Sequence, residues 1–182
     1  MKLTKHSSHI HTIDNFIDAE RCDGMIEWSE QKGYQKASVT TPSGPRMMSG
    51  ARNNDRLTFD YKPLAKELFS TLKVFLPNVD GLSPIELNER FRFYRYGIDQ
   101  RFKRHRDGRV NIRGQESRLT FMIYLNEGFS GGQTRFDEIT ITPRKGMALL
   151  FTHELKHESL NITKGLKYVL RSDVFYDKSM RI

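Results

Sequence analysis

The sequence is short of cysteine, of long apolar runs and of negative charge. A single cysteine, Cys22, among 182 residues excludes an intrachain disulfide framework and is typical of a reducing compartment. No apolar run approaches the length that spans a bilayer. The opening MKLTKHSSHIHTIDNF has neither the apolar segment nor the small-residue cleavage site of a secretory signal. These absences predict a cytoplasmic protein with no membrane partner.

The deficit of acids leaves a strongly basic chain. Lys and Arg number 30 against 22 Asp and Glu, so the formal net charge is +8. This balance is compatible with nucleic acid, an acidic peptide or a small carboxylate as a partner, and a basic surface without a ligand is an equally good explanation. Hydrophobic residues make up 37% of the chain, which predicts one globular domain over residues 1–182.

The first third of the chain predicts a strand, two helices and a long loop. HIHTIDNF is typical of a strand, and DAERCDGMIEWSEQKG predicts a helix that Asp18 caps and Gly33 ends. KPLAKELFSTLKVFLP predicts the second helix. Residues 35–56 are rich in Ser, Thr, Gly and Pro, and a loop of this length inside a domain is commonly a lid, a binding loop or disordered. We therefore expect an N-terminal strand, helix and lid region over residues 1–82.

From residue 83 onward the pattern changes to short strands separated by glycines and prolines. The predicted strands are ELNERFRFYRYG, FKRHRDG, RLTFMIYLN, QTRFDEITITP, GMALLFTH and LKYVLRSDVFY. Two helices followed by six or more strands predict an α+β domain, mainly β, with a sandwich or jelly-roll core over residues 83–177.

Two of these strands offer metal ligands. His105 and Asp107 are two apart, so on a strand their side chains project to the same face. Alone this spacing is a weak signal, because chance produces it readily. FTHELKHES adds His153 and His157, and two histidines with one carboxylate form the facial triad of non-haem Fe(II) oxygenases. A helical zinc pair is the alternative for His153 and His157, but the flanking sequences are typical of strands.

Two cations lie in the last apolar strand. Lys167, Val169 and Arg171 share one face of it, and an unpaired charge there would be costly to bury. Either cation could meet a buried anion. The alternative is that one or both extend to the surface and keep only their stems buried.

Together these residues resemble the 2-oxoglutarate (2OG) and Fe(II)-dependent dioxygenases, in particular their prolyl 4-hydroxylase-like branch. Four collinear segments carry the resemblance over roughly residues 84–176: FRFYRYGIDQRFKRHRDG, SRLTFMIYLNEGFSGGQTRF, ITPRKGMALLFTHELKHES and KGLKYVLRSDVFY. The resemblance implies a double-stranded β-helix, that is, a jelly roll with N-terminal supporting helices.

The resemblance also implies roles for particular residues. His105, Asp107 and His157 are the implied iron ligands and catalytic centre, and His153 is then a neighbour rather than a ligand. Lys167 is implied to hold the distal carboxylate of 2OG. The remaining implied pocket residues are Tyr96, Tyr124, Thr134 and Arg171. For the tyrosines simple core packing is the alternative, and for Arg171 the alternative is a structural role.

The implied reaction is hydroxylation of an unactivated C–H bond with Fe(II), 2OG and O2, with ascorbate as a candidate reductant. A prolyl residue of a peptide or protein is the leading substrate. A free amino acid or another small molecule is the second alternative, and oxidative demethylation of nucleic acid is the third. Arg52 and Arg56, with Asn53 and Asn54, are predicted to contact the substrate when residues 35–56 close as a lid.

Overall fold

Two helices and many short strands make up the structure, a computed structural model that describes residues 1–41, 44–48, 50–112 and 114–177. The helices are α1 (Ala19–Lys32) and α2 (Lys62–Leu72), and a 3-10 turn (Lys73–Phe75) follows α2. The strands of the first half are β1 (Lys2–Lys5), β2 (Ile10–Asp14), β3 (Gln35–Lys36), β4 (Val39–Thr41), β5 (Gly44–Arg46), β6 (Asp55–Asp60), β7 (Pro84–Leu87), β8 (Arg90–Tyr96) and β9 (Phe102–His105). Those of the second half are β10 (Asn111–Ile112), β11 (Gln115–Tyr124), β12 (Ser130–Gly131), β13 (Thr134–Arg135), β14 (Thr140–Ile141), β15 (Ala148–Thr152), β16 (His157–Ser159), β17 (Ile162–Lys164) and β18 (Lys167–Tyr176).

The major sheet is antiparallel and has ten strands. Its main path runs β1-β2-β15-β11-β18-β8-β6-β3, while β10 pairs with β11 and β7 pairs with β18. The N-terminal region contributes β1, β2, β3 and β6 to this sheet, so it is part of the framework that carries the later strands. A second sheet has the order β14-β13-β16-β9, and β12 pairs with β17 beside it.

The major sheet is covered on both faces, which explains why its central strands are apolar throughout. In β11, Phe121 and Ile123 belong to the core cluster shared with the helices. Their neighbours Met122 and Tyr124 belong to a second cluster, with Phe136 of the loop after β13. Side chains that alternate along a strand thus enter two different cores. This arrangement of helices, major sheet and facing minor sheet confirms the predicted jelly roll with supporting helices.

The predicted ends of α1 are confirmed, whereas the second predicted helix is shorter than KPLAKELFSTLKVFLP because α2 ends at Leu72. Asp18 accepts a hydrogen bond from the backbone N–H of Arg21, and Gly33 ends α1 with φ at +81°. That positive φ is a conformation that glycine adopts without a Cβ penalty. Among the described residues, neither helix is long and apolar enough to cross a membrane.

Several predicted element boundaries are wrong. ELNERFRFYRYG forms two strands, β7 and β8, because the chain turns at Asn88, whose side chain accepts a hydrogen bond from the backbone N–H of Arg90. QTRFDEITITP forms the short hairpin β13–β14. FKRHRDG and GMALLFTH are shorter as strands than predicted, since β9 ends at His105 and β15 ends at Thr152.

Residues 35–56 contain more strand than predicted. β3 pairs with β6, β4 pairs with β5 in a hairpin, and Arg56 lies in β6. An isolated bridge joins Arg52 to Phe102 at the start of β9. Residues 42, 43 and 49 of the predicted lid lie outside the described residues. Closure of this segment over the site stays a prediction.

Candidate active site

The three predicted metal ligands meet at the edge of the minor sheet. His105 at the end of β9 lies directly opposite His157 at the start of β16 in the strand register. Asp107 lies two residues beyond the end of β9, so a turn rather than strand alternation brings it to the same side. One ligand atom from each residue lies within 4.8 Å of the others. Asp107 Oδ1 lies 3.6 Å from His105 Nε2, and Asp107 Oδ2 lies 3.7 Å from His157 Nε2.

Backbone carbonyls fix the orientation of both imidazoles. His105 Nδ1 lies 2.8 Å from the carbonyl oxygen of Lys103, and His157 Nδ1 lies 3.2 Å from that of Leu155. If each Nδ1 carries the proton and donates it to the carbonyl, each Nε2 lone pair faces the shared space. This outer-shell arrangement is common for metal-binding histidines.

The charge state of the cluster suits a divalent cation. Burial lowers the pKa of His157 to about 4, so its ring is neutral near pH 7. Burial alone would raise the pKa of Asp107, but Arg171 and the two histidines outweigh that effect and hold it well below its ordinary value. Two imidazoles and one carboxylate are the donor set that Fe(II) takes in non-haem oxygenases. The residues present therefore fit an Fe(II) ion.

His153 is not part of the cluster. It lies in the turn after β15, and its Nε2 is 3.6 Å from Asp173 Oδ1, which is too far for a hydrogen bond. Neither ring nitrogen has a hydrogen-bond partner among the described residues. Burial also lowers the pKa of this histidine. The HxxxH pair thus divides as predicted, with His157 at the cluster and His153 beside it.

Lys167 lines the same pocket as His105, Asp107 and His157. Its side chain is 1% exposed, and its Nζ donates to the carbonyl oxygen of Gly132 and, over 2.9 Å, to the hydroxyl of Ser159. These partners carry no charge, and burial lowers the pKa of Lys167 to about 7. A buried ammonium with only neutral partners fits a ligand carboxylate such as the distal carboxylate of 2OG.

The double glycine lets the chain pass close to this lysine. A Cβ at Gly132 would lie 2.4 Å from Ile162 Cδ1 and 3.1 Å from Lys167 Cδ, and the φ of this residue is +70°. A Cβ at Gly131 would lie 2.0 Å from the carbonyl oxygen of Asn161. Larger residues at these two positions would therefore displace the strand that holds Thr134.

The predicted pocket residues surround Lys167. The Lys167 Nζ lies 5.1 Å from the ring centre of Tyr96 and 5.5 Å from that of Tyr124. The hydroxyl groups of Tyr124 and Thr134 are 2.6 Å apart. Tyr96 hydrogen bonds with Ser159, which the sequence analysis did not select. Ser159 lies two residues after His157 in β16, and this same-face spacing was the signal that could have revealed it.

Arg171 lies on the same face of β18 but at the metal end of the pocket. Its Nη2 is 3.2 Å from Asp107 Oδ2 and 2.8 Å from Asp173 Oδ1. Burial alone would lower its pKa, but these two carboxylates outweigh that effect and raise it. Arg171 is thus paired with a candidate metal ligand, and a contact from Arg171 to the cosubstrate stays a prediction.

The predicted substrate residues lie in a cleft of about 490 Å³ that also borders His105 and Asp107. Arg52 is 5% exposed, and its Nε donates to Asn54 Oδ1 over 2.7 Å. Arg56 donates to the carbonyl and hydroxyl oxygens of Ser38. Both arginines line this cleft, and their contact with a substrate stays a prediction. Asn53 instead bonds the backbone of Asp99 and Arg101.

Comparison with known proteins agrees with this geometry. The family model of the 2OG-Fe(II) oxygenase superfamily matches residues 91–172, which include the three clustered ligands and Lys167. Over these residues the chain is similar to the 2OG-Fe(II) oxygenases, and the clustered His105, Asp107 and His157 are the donor set that a 2OG- and Fe(II)-dependent dioxygenase with O2 as co-substrate requires. No curated protein matches the chain.

Solved structures with the same fold include several prolyl hydroxylases. The viral collagen prolyl hydroxylase of Paramecium bursaria Chlorella virus-1, in complex with 2OG, is 20% identical, with 93% of this chain and 97% of that chain covered and a TM-score of 0.63. A prolyl-4-hydroxylase of Pseudomonas putida is 19% identical, with coverage of 92% and 93% and a TM-score of 0.67. A Trichoplax adhaerens prolyl hydroxylase, in complex with a hypoxia-inducible-factor peptide, is 15% identical, with coverage of 96% and 86% and a TM-score of 0.71.

Proposed function

We propose that this dioxygenase hydroxylates a prolyl residue, most directly one in a peptide or protein. The observation that carries the proposal is the cluster of His105, Asp107 and His157 within reach of the buried Lys167, in the fold that the viral, Pseudomonas and Trichoplax prolyl hydroxylases share. The peptide bound to the Trichoplax enzyme supports a peptide substrate.

The chain's own residues would bind and orient the reactants. His105, Asp107 and His157 would hold Fe(II) at one face, and Lys167 would hold the distal carboxylate of 2OG as a point charge. When bound, Fe(II) and 2OG supply the oxidative chemistry in which O2, 2OG and a C–H bond become succinate, CO2 and an alcohol. The apolar walls, including Met122 and Val169, limit the access of water to this space.

Hydroxylation of a free amino acid is a second candidate, and one observation favours it. The cleft beside the ligands is lined by arginines, which suit a carboxylate close to the reacting carbon. A cytoplasmic location and ascorbate as the reductant also belong to the proposal, and the single buried Cys22 is consistent with a reducing compartment.

Mass spectrometry tests the proposal. The enzyme is incubated with Fe(II), 2OG, O2 and either a library of proline-containing peptides or free L-proline. The expected result is the gain of one oxygen atom on proline together with one succinate per product. The Asp107→Ala variant should give neither. Succinate formed in proportion to an oxidised product other than hydroxyproline would contradict the prolyl assignment while keeping the enzyme class.

A further inference from the structure

The cleft beside the metal cluster holds more positive charge than its own acids balance. Eight Arg and Lys side chains line it, against the carboxylates of Asp107 and Asp173. Three arginines at its rim are already engaged: Arg104 with Asp137, Arg106 with the carbonyl of Glu154, and Arg109 with Glu116 and Glu154. Acids thus balance Arg104 and Arg109 at the rim, and the four inner arginines are Arg52, Arg56, Arg92 and Arg171.

The inner arginines divide into two pairs. Arg92 and Arg171 both contact the carboxylate of Asp173. Arg52 and Arg56, by contrast, have no carboxylate within ion-pair distance among the described residues. Their side-chain partners are the neutral groups of Asn54 and Ser38.

The lack of an anionic partner is clearest for Arg52. Its guanidinium is stacked between two rings, 4.4 Å from the centre of Tyr94 and 4.3 Å from that of Phe102. Its Nη2 is buried without a hydrogen-bond partner in the part of the chain that the structure describes. A buried charged donor without a partner costs stability, and the acceptor of a ligand would supply the missing hydrogen bond.

The phenol of Tyr94 lies among the same cations. Burial alone would raise its pKa, yet the guanidiniums of Arg171, Arg52 and Arg92 outweigh that effect and lower it to about 8. Near pH 7 the phenol is still mainly protonated, so it does not neutralise these cations.

The position of Arg52 limits where that anion would lie. Phe102 stacks on His105 with ring centres 3.5 Å apart, and Arg52 stacks on Phe102 in turn. An anion bound to Arg52 would therefore lie close to Phe102, which itself stacks on the candidate metal ligand His105. A substrate anchored there would hold its reacting carbon close to the cluster.

We infer that Arg52, supported by Arg56, binds a carboxylate of the substrate near the carbon that is hydroxylated. This inference rests on the proposed prolyl hydroxylation and specifies its substrate class. The carboxylate has two sources: the α-carboxylate of a free amino acid, or an Asp or Glu side chain next to the target proline. Nucleic acid, whose phosphates would also meet these cations, is the alternative that the oligonucleotide probe below tests.

Binding to the enzyme loaded with Fe(II) and 2OG in the absence of oxygen tests the inference without turnover. The first pair of probes is acetyl-Asp-Pro-Asp-amide and acetyl-Asn-Pro-Asn-amide, and the second pair is L-proline and L-prolinamide. The carboxylate member of one pair should bind at least about tenfold tighter, since a charged hydrogen bond is lost in its counterpart. The pair that shows the preference identifies the source of the carboxylate.

Variants assign the preference to the arginine. Arg52→Gln should reduce it to near unity, while Arg52→Lys should retain part of it. Arg144→Gln removes the same charge from an exposed residue outside the cleft and should keep the full preference. The affinity of Arg52→Gln for 2OG should match the wild type, which shows that the variant is folded and that the Lys167 pocket is intact.

Three results would overturn the inference: no preference in either pair, a preference that survives in Arg52→Gln, or a single-stranded oligonucleotide that binds more tightly than every carboxylate probe. A preference that depends on Arg52, with no hydroxylation of either proline probe in air, would refute prolyl hydroxylation but leave the carboxylate site standing. Hydroxylation of a proline probe without any preference for a carboxylate would support prolyl hydroxylation but refute the carboxylate site at Arg52.

Discussion

Lys167 and Arg171 are four residues apart on the same face of β18, yet the protein treats their charges in opposite ways. Lys167 contacts only neutral oxygens, and burial lowers its pKa to about 7. Arg171 contacts the carboxylates of Asp107 and Asp173, and its pKa is raised. A lysine can lose its proton when it is buried, whereas an arginine stays charged and needs an anion. The lysine end of the pocket can therefore accept an anionic ligand, and the arginine end already has its counter-ions.

This contrast separates two tasks within one pocket. The lysine end can take up a ligand carboxylate because the protein supplies none. The arginine end uses its charge on Asp107, which it keeps ionised and fixes in place for a metal ion. Substitutions in the metal cluster, at Lys167 and at Arg171, together with a pH series, can break or sharpen this division.

Loss of a cluster residue should have the largest effect. Asp107→Ala removes a metal donor and a partner of Arg171 together, so we expect loss of Fe(II) binding and of all turnover. His105→Ala and His157→Ala should also abolish turnover. His153→Ala is the matched control and should be much milder, because His153 lies outside the cluster. Bound iron per chain measures the effect, and an iron-free His153→Ala beside an iron-loaded His157→Ala would refute the ligand assignment.

Loss of the lysine should act on the cosubstrate alone. Removing one partner of a buried ion pair costs about 3–5 kcal/mol, so Lys167→Ala should raise the KM for 2OG by at least about 100-fold. Fe(II) binding should be nearly unchanged, because the Lys167 side chain contacts Gly132 and Ser159 rather than the cluster. Lys167→Met keeps an apolar stem in the buried space and controls for packing. An unchanged KM in both variants would show that another group holds the cosubstrate.

Loss of the arginine should give the reverse pattern. Arg171→Gln leaves Asp107 without its cationic partner, and loss of an outer-shell contact typically weakens metal binding by about 10–100-fold. The KM for 2OG, measured at saturating Fe(II), should change little. Calorimetry with Fe(II) and steady-state kinetics with 2OG separate these effects. A large rise in the KM for 2OG with unchanged Fe(II) affinity would return Arg171 to the cofactor role that the sequence analysis gave it.

The same two residues show how far sequence reasoning reaches. Strand alternation placed Lys167, Val169 and Arg171 on one face, and all three line the pocket. The sequence could not show which cation lacks an acid, because Asp107 reaches Arg171 through a turn and not through strand pairing. Regular, local patterns such as the capped helix α1 and the apolar strands were therefore predicted, while contacts across the pocket were not.

The strands that the sequence analysis missed share one property: their patterns are interrupted or polar. β6 (DRLTFD) lies at the end of the segment predicted as a lid, and its partner β8 supplies the hydrophobic side chains that decide its place in the sheet. β1 (KLTK) is mostly polar and lies at the edge of the major sheet. Such strands are specified by their partners more than by their own residues.

The smallest predicted effect, and the most specific to the lysine end, is a pH dependence of 2OG binding. In the free protein the pKa of Lys167 is about 7, and a bound carboxylate would raise it. Binding should then take up a proton above pH 7, so the affinity should be constant below about pH 7 and fall by up to about tenfold per pH unit above it. Calorimetry in buffers of different ionisation enthalpy measures both the affinity and the proton uptake. The control is Lys167→Arg, whose side chain stays charged, so its affinity for 2OG should not depend on pH even if that affinity is low. A wild-type affinity that is constant from about pH 6 to about pH 9 would show that Lys167 is already protonated before the cosubstrate binds.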